Sequence, residues 1–243
     1  MRVHNQENEP QSALPDYSWN SVGFLPLHIQ GLEDVDQDGK LEAWTWNTTT
    51  SQLVVYESNG NNSFQQIWTS PSYGSQNGLI VMADCYDSDM DGQREMITCT
   101  VLWASVWYVR IWECIGDNNF NESWYFDASA YLTDWGGKVT VGDVDQDGFP
   151  EIFVSGGDNN AIVFENTGDN SYAFKSVLAN SVTSHVLVAN LDGDAKPDLV
   201  TSGHVYDQNT KIWESTGNDN YASIWSQGSG SWHPWLLATD LDG

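Results

Sequence analysis

Apolar residues in this chain come in short runs broken by polar turns. LIVMA at 79–83, VTV at 139–141 and HVLVA at 185–189 each lead into an acidic stretch, and EIFVS at 151–155 and DLVTS at 198–202 leave one. AIVFE at 161–165 and KIWE at 211–214 form a third kind of run, each ending on a cluster of Gly, Asn and Asp. Such clusters reverse the chain, here into a fourth run such as FQQIWT at 64–69. No 3.6-residue period appears, so the pattern predicts an all-β chain of short strands.

Two motifs recur in alternation along these runs. The first is acidic: DVDQDGKLE at 34–42, DSDMDGQRE at 87–95, DVDQDGFPE at 143–151 and NLDGDAKPD at 190–198, with DLDG at 240–243 opening a fifth copy. The second follows each complete copy: VYESNGNNSF at 55–64, IWECIGDNNF at 111–120, VFENTGDNSY at 163–172 and IWESTGNDNY at 212–221. Four short strands per repeat of about fifty residues is the unit of a β-propeller blade. The expected architecture is a β-propeller of four-stranded blades, about four complete blades plus the first strand of a fifth. The repeats fall at about 27–78, 79–137, 138–184, 185–234 and, in part, 235–243. Residues 1–26 form an N-terminal segment with at most one strand, around 17–20, belonging to a preceding blade.

The acidic loop and its flanking strands resemble the FG-GAP/VCBS repeats of integrin-like β-propellers over about 27–243. In that family the loop joins the first two strands of a blade and binds calcium. Two copies depart from the pattern. The second carries an insertion around 84–87, leaving either Asp84 or Asp87 as first ligand, and the fourth has Asn190 for the first Asp and Ala195 for the Gly.

The chemistry of the loop supports the same reading. Hard oxygen ligands at positions 1, 3 and 5, a Gly at 6 and a carboxylate at 9 suit a loop wrapped around Ca²⁺, and the Gly supplies the positive-φ turn. Four like charges brought together without a cation would spread apart, since two at about 4 Å repel by roughly 4 kcal/mol at an effective dielectric near 20. The candidate ligands are Asp34, Asp36, Asp38 and Glu42, then Asp87, Asp89, Asp91 and Glu95, then Asp143, Asp145, Asp147 and Glu151, then Asn190, Asp192, Asp194 and Asp198. Lys40, Gln93, Phe149 and Lys196 at position 7 offer backbone carbonyls, and Asp240 and Asp242 begin a partial fifth site. The expected cofactor is Ca²⁺ at about four sites.

Charge then narrows the partners. Thirty-four acids against 8 Lys plus Arg give −26, a surface without the basic stripe that nucleic acid requires. No run of 18 apolar residues is present, so no membrane insertion is expected. Cys85, Cys99 and Cys114 read as buried free thiols, with a Cys99–Cys114 disulfide as the alternative. Metalloprotease, hydrolase and P-loop motifs are absent, and the loops account for most carboxylate pairs, so no enzyme is expected. Aromatics in loops opposite the acidic ones suggest a ligand face: Trp103, Trp107, Tyr108, Trp135, His204, Tyr206 and Trp232.

The expected function is non-enzymatic adhesion or recognition of a glycan or protein, outside the cell or on its surface. The alternatives are a structural subunit joining end to end into a fibre or larger propeller, and a polysaccharide-degrading propeller enzyme. The incomplete fifth blade adds an expectation of self-association, because an unpaired apolar edge invites a second chain.

Overall fold

A computed structural model describes residues 29–60, 63–73, 79–102, 106–132, 137–156, 160–179, 185–203 and 209–228. Sixteen strands form four antiparallel sheets, each a meander in chain order. The first sheet holds β1 (Ile29–Glu33), β2 (Glu42–Asn47), β3 (Gln52–Ser58) and β4 (Phe64–Thr69). The second holds β5 (Leu79–Tyr86), β6 (Glu95–Leu102), β7 (Val106–Gly116) and β8 (Asn119–Asp127). The third holds β9 (Val139–Gly142), β10 (Glu151–Ser155), β11 (Asn160–Gly168) and β12 (Ser171–Ala179). The fourth holds β13 (His185–Ala189), β14 (Asp198–Ser202), β15 (Asn209–Gly217) and β16 (Asn220–Gly228).

These sheets are the blades of a β-propeller. Their first strands pack side by side in the order β1, β5, β9, β13, which places them innermost. Each core therefore lies between blades. Ile152 and Val154 of β10 face the second blade with Ile97, Val109 and Ile111, while Phe153 faces the fourth with Val186 and Leu199. Both faces of an inner strand are covered, which explains why EIFVS is buried throughout instead of alternating. Trp44, Leu53, Met96 and Trp112 fill the gap between the first two blades.

The equivalent third-strand tryptophans are tied by the same bond, Trp112 Nε1 to Thr98 Oγ1 (3.1 Å) and Trp213 Nε1 to Thr201 Oγ1 (2.9 Å). Cys85, Cys99 and Cys114 form no disulfide. Cys99 packs between the second and third blades and Cys114 between the first and second, on opposite faces of one sheet. Among the described residues no helix is long and apolar enough to cross a membrane. Residues 1–26 and the partial repeat at 235–243, with Asp240 and Asp242, lie outside the described residues.

Candidate metal centres

Each acidic loop joins the first strand of a blade to its second, and three loops close with the same set of bonds. In the first, Gly39 N donates to Asp34 Oδ2 (3.1 Å), Asp38 N to Asp36 Oδ1 (3.2 Å), Lys40 N to Asp38 Oδ1 (2.8 Å) and Val35 N to Glu42 Oε2 (2.7 Å). Gly92, Asp91, Gln93 and Ser88 repeat these four donations in the second loop. Gly148, Asp147, Phe149 and Val144 repeat them in the third. Position 4 is left-handed in all three, at Gln37, Met90 and Gln146, and so is the Gly at position 6. Asp87 takes the place in the second loop that Asp34 and Asp143 take in theirs.

The carboxylates converge. Ligand atoms of Asp87, Asp89, Asp91 and Glu95 all lie within 4.8 Å of one another, as do those of Asp143, Asp145, Asp147 and Glu151. In the first loop Asp34, Asp36 and Glu42 gather, while Asp38 is held by Lys40 Nζ (2.6 Å) and grouped with Asp36 and Asp117. Each loop leaves two buried oxygens without a hydrogen bond, one from position 1 and one from position 9: Asp34 Oδ1 and Glu42 Oε1, Asp87 Oδ1 and Glu95 Oε1, Asp143 Oδ1 and Glu151 Oε1. Buried carboxylate oxygens are rarely left unpaired, so this donor set fits a hard cation. Burial, with repulsion from the loop aspartates, pushes Glu42 up to about 7 and Glu95 and Glu151 up to about 8.

The fourth loop is built differently. Ala195 at position 6 is not left-handed, so the loop keeps the positive φ of position 4, at Gly193, and lacks the one at position 6. Gly193 N donates to Asn190 Oδ1 (2.8 Å), and Asn190 Nδ2 is spent on the Asp194 carbonyl. Among the described residues its Asp192, Asp194 and Asp198 form no converged group.

The second motif locks onto the loop of the preceding blade. Asn118 N donates to Asp36 Oδ2 (2.9 Å), Asn170 N to Asp89 Oδ2 (2.7 Å) and Asp219 N to Asp145 Oδ2 (2.7 Å). All three hairpin residues are left-handed. Asn118 Nδ2 also reaches Glu57 and Asn170 Nδ2 reaches Glu113, both at 2.6 Å, whereas Lys175 joins Glu165 to Asp219. The last residue of each motif then packs across the same seam: Phe120, Tyr172 and Tyr221. Sequence reasoning found this motif without its role, because its partners lie one repeat away. Position 7 also works through its side chain: Lys40 and Gln93 bridge position 5 to Glu57 and Glu113.

Residues 143–201 match the family model of the FG-GAP-like repeat. That FG-GAP-like stretch starts on the third loop and runs into β14, and the first two loops share its bonding. No curated protein matches the chain in sequence. Among solved structures, the chain is similar to an exo-β-1,3-galactanase from Phanerochaete chrysosporium with β-1,3-galactotriose (TM-score 0.57, 10% identity, 87% of this chain and 52% of that one). It is also similar to a β-fructofuranosidase from Schwanniomyces occidentalis complexed with fructosyl-erythritol (TM-score 0.51, 11% identity, 82% and 45%). The chain spans about half the length of these structures, and the likeness is one of fold.

The aromatic face needs one correction. Trp107 is fully buried, and β7 points it with Val109 and Ile111 into the core against the third blade. Tyr108, its neighbour on the other face of the strand, lies 4.9 Å from the Arg110 guanidinium. Trp103, Trp135, His204, Tyr206 and Trp232 lie outside the described residues.

Proposed function

We propose that this chain is a calcium-stabilised propeller that works outside the cell or on its surface as a non-enzymatic recognition module for a glycan or protein. The observation that carries the calcium reading is the pair of buried, unpartnered carboxylate oxygens in each of three loops. Oxygen-only donors rich in carboxylates favour calcium over magnesium, which demands near-ideal octahedral geometry. Asp34, Asp36 and Glu42 would hold one ion, with Asp87, Asp89, Asp91 and Glu95 holding a second and Asp143, Asp145, Asp147 and Glu151 a third. The recognition reading rests on the β-propeller scaffold and on candidate cation sites that take up the clustered carboxylates of these loops.

Ions that bind only the native state stabilise it by about 2.7 kcal/mol per site at a hundredfold excess over Kd. Stripping calcium with a chelator, with metal content followed by atomic emission, is therefore expected to lower the melting temperature. An unchanged melting temperature in protein shown to be metal-free would refute the calcium reading. Turnover of extracellular polysaccharides would refute the non-enzymatic one.

A further inference from the structure

The repeat provides its own control, because non-ligand positions that differ between loops are free to do something else. The second loop differs from its siblings at several of them, three of which face one cleft. The residue before the loop is Tyr86, where the others have Glu33, Gly142 and Ala189. Position 4 is Met90, where the others have Gln37, Gln146 and Gly193, and position 8 is Arg94, where the others have Leu41, Pro150 and Pro197.

All three line one cleft of about 430 Å³ between the second and third loops, together with Cys85, Asp87, Asp143, Gly148 and Pro150. That volume lies within the range of small-molecule sites. Met90 is the residue that leaves it open. Gln37 Nε2 reaches the Gly92 carbonyl of the next loop (3.3 Å) and Gln146 Nε2 reaches the Ala195 carbonyl, tying neighbouring loops together. A methionine cannot make that bond to Gly148.

The walls of the cleft indicate its ligand. Tyr86 and Met90, 41% and 51% exposed, give the cleft an apolar wall open to solvent. Asp87 and Asp143 turn one oxygen toward their own loop's cation site and give the other to Gly92 N and Gly148 N. Arg94 supplies the cation of the cleft. Its one ion pair among the described residues is a long contact with Glu33 (3.8 Å), with both side chains about half exposed at 40% and 54%, and such pairs contribute little. Its fork of donors is thus available for a planar carboxylate.

We propose that this cleft binds an acidic saccharide. The sugar's C–H face lies against Tyr86 and Met90, its hydroxyls donate to Asp87 and Asp143, and its uronate carboxylate pairs with Arg94. This inference rests on the recognition reading above and gives it a site and a ligand class.

The test uses digalacturonate, its neutral dimethyl ester, and a short peptide with a free C-terminal carboxylate, each titrated calorimetrically into the full chain in saturating calcium. Digalacturonate is expected to bind at least about tenfold tighter than the ester, the loss expected from one charge-assisted contact. Arg94→Gln should remove that difference, and Tyr86→Ser should weaken acid and ester alike. Met90→Gln, which restores the link between loops, should abolish both. Ion content and melting temperature should stay unchanged in all three variants. Equal binding of acid and ester, undiminished binding by Arg94→Gln, or binding of the peptide alone would overturn the proposal. If wild-type protein retains its ions but ignores digalacturonate, the cleft proposal fails and the calcium reading stands. Loss of the ions themselves would instead be a failure of the underlying reading.

Discussion

Position 3 of each of the first three loops carries two tasks in one side chain. Asp145 Oδ1 accepts from Asp147 N within its loop, and Oδ2 accepts from Asp219 N of the next blade. Hydrogen bonds to a charged group contribute about 1.5–3 kcal/mol each, so Asp145→Ala is expected to lose one ion and about 2–4 kcal/mol of stability. Asn190→Ala should cost less and release no ion, because that side chain is engaged only within its own turn. Chemical denaturation beside metal analysis compares the two, and equal losses would contradict the ranking. The buried glutamates set the pH response. With Glu42, Glu95 and Glu151 raised to about 7, 8 and 8, the metal-free fold binds more protons than the unfolded chain. Its stability should therefore fall as pH rises from about 4.5 through 8. Calcium competes with those protons, so its affinity should rise over the same window and its binding should release protons. Titration in buffers of different ionisation enthalpy measures that release.

At the scale of the strand, two covered faces govern what each position tolerates. Trp107→Ala is expected to cost about 3–5 kcal/mol, the range for emptying a large aromatic site, whereas a tryptophan on an exposed face would be nearly silent. Gly31 shows the opposite limit. A Cβ there would meet the Trp44 ring at 2.0 Å, so Gly31→Ala should destabilise by about 1–3 kcal/mol through overpacking. The strands themselves were legible in the sequence, because apolar runs between Gly-Asn turns have few other readings. Trp107 was misplaced because LWASVWYV at 102–109 reads as one aromatic stretch. The alternation of Trp107, Val109 and Ile111 was the signal available for correcting it. The acidic pattern shared by three loops was equally readable, since the same closing bonds recur at the same spacing in each. The changed turn of the fourth loop was half visible in Ala195, whose Cβ disfavours the turn that its sibling glycines make.

Over the whole molecule, the seams between blades carry the stability, and these seams were not legible. A bond between Asn170 and Asp89 spans 81 residues and leaves no local trace. Asp89→Ala is expected to raise amide exchange around 169–171 in the third blade while leaving the hairpin around 117–119 protected. Uniform loosening of both hairpins would argue against the seam. The same offset gives the repeat a direction. The cooperative unit is the loop of one blade with the hairpin of its successor, so it runs out of phase with the sheets that the eye picks out. Any shortened version cut at a sheet boundary would carry one loop more than it has hairpins to cap. That uncapped loop should be the first to exchange its ion with solvent.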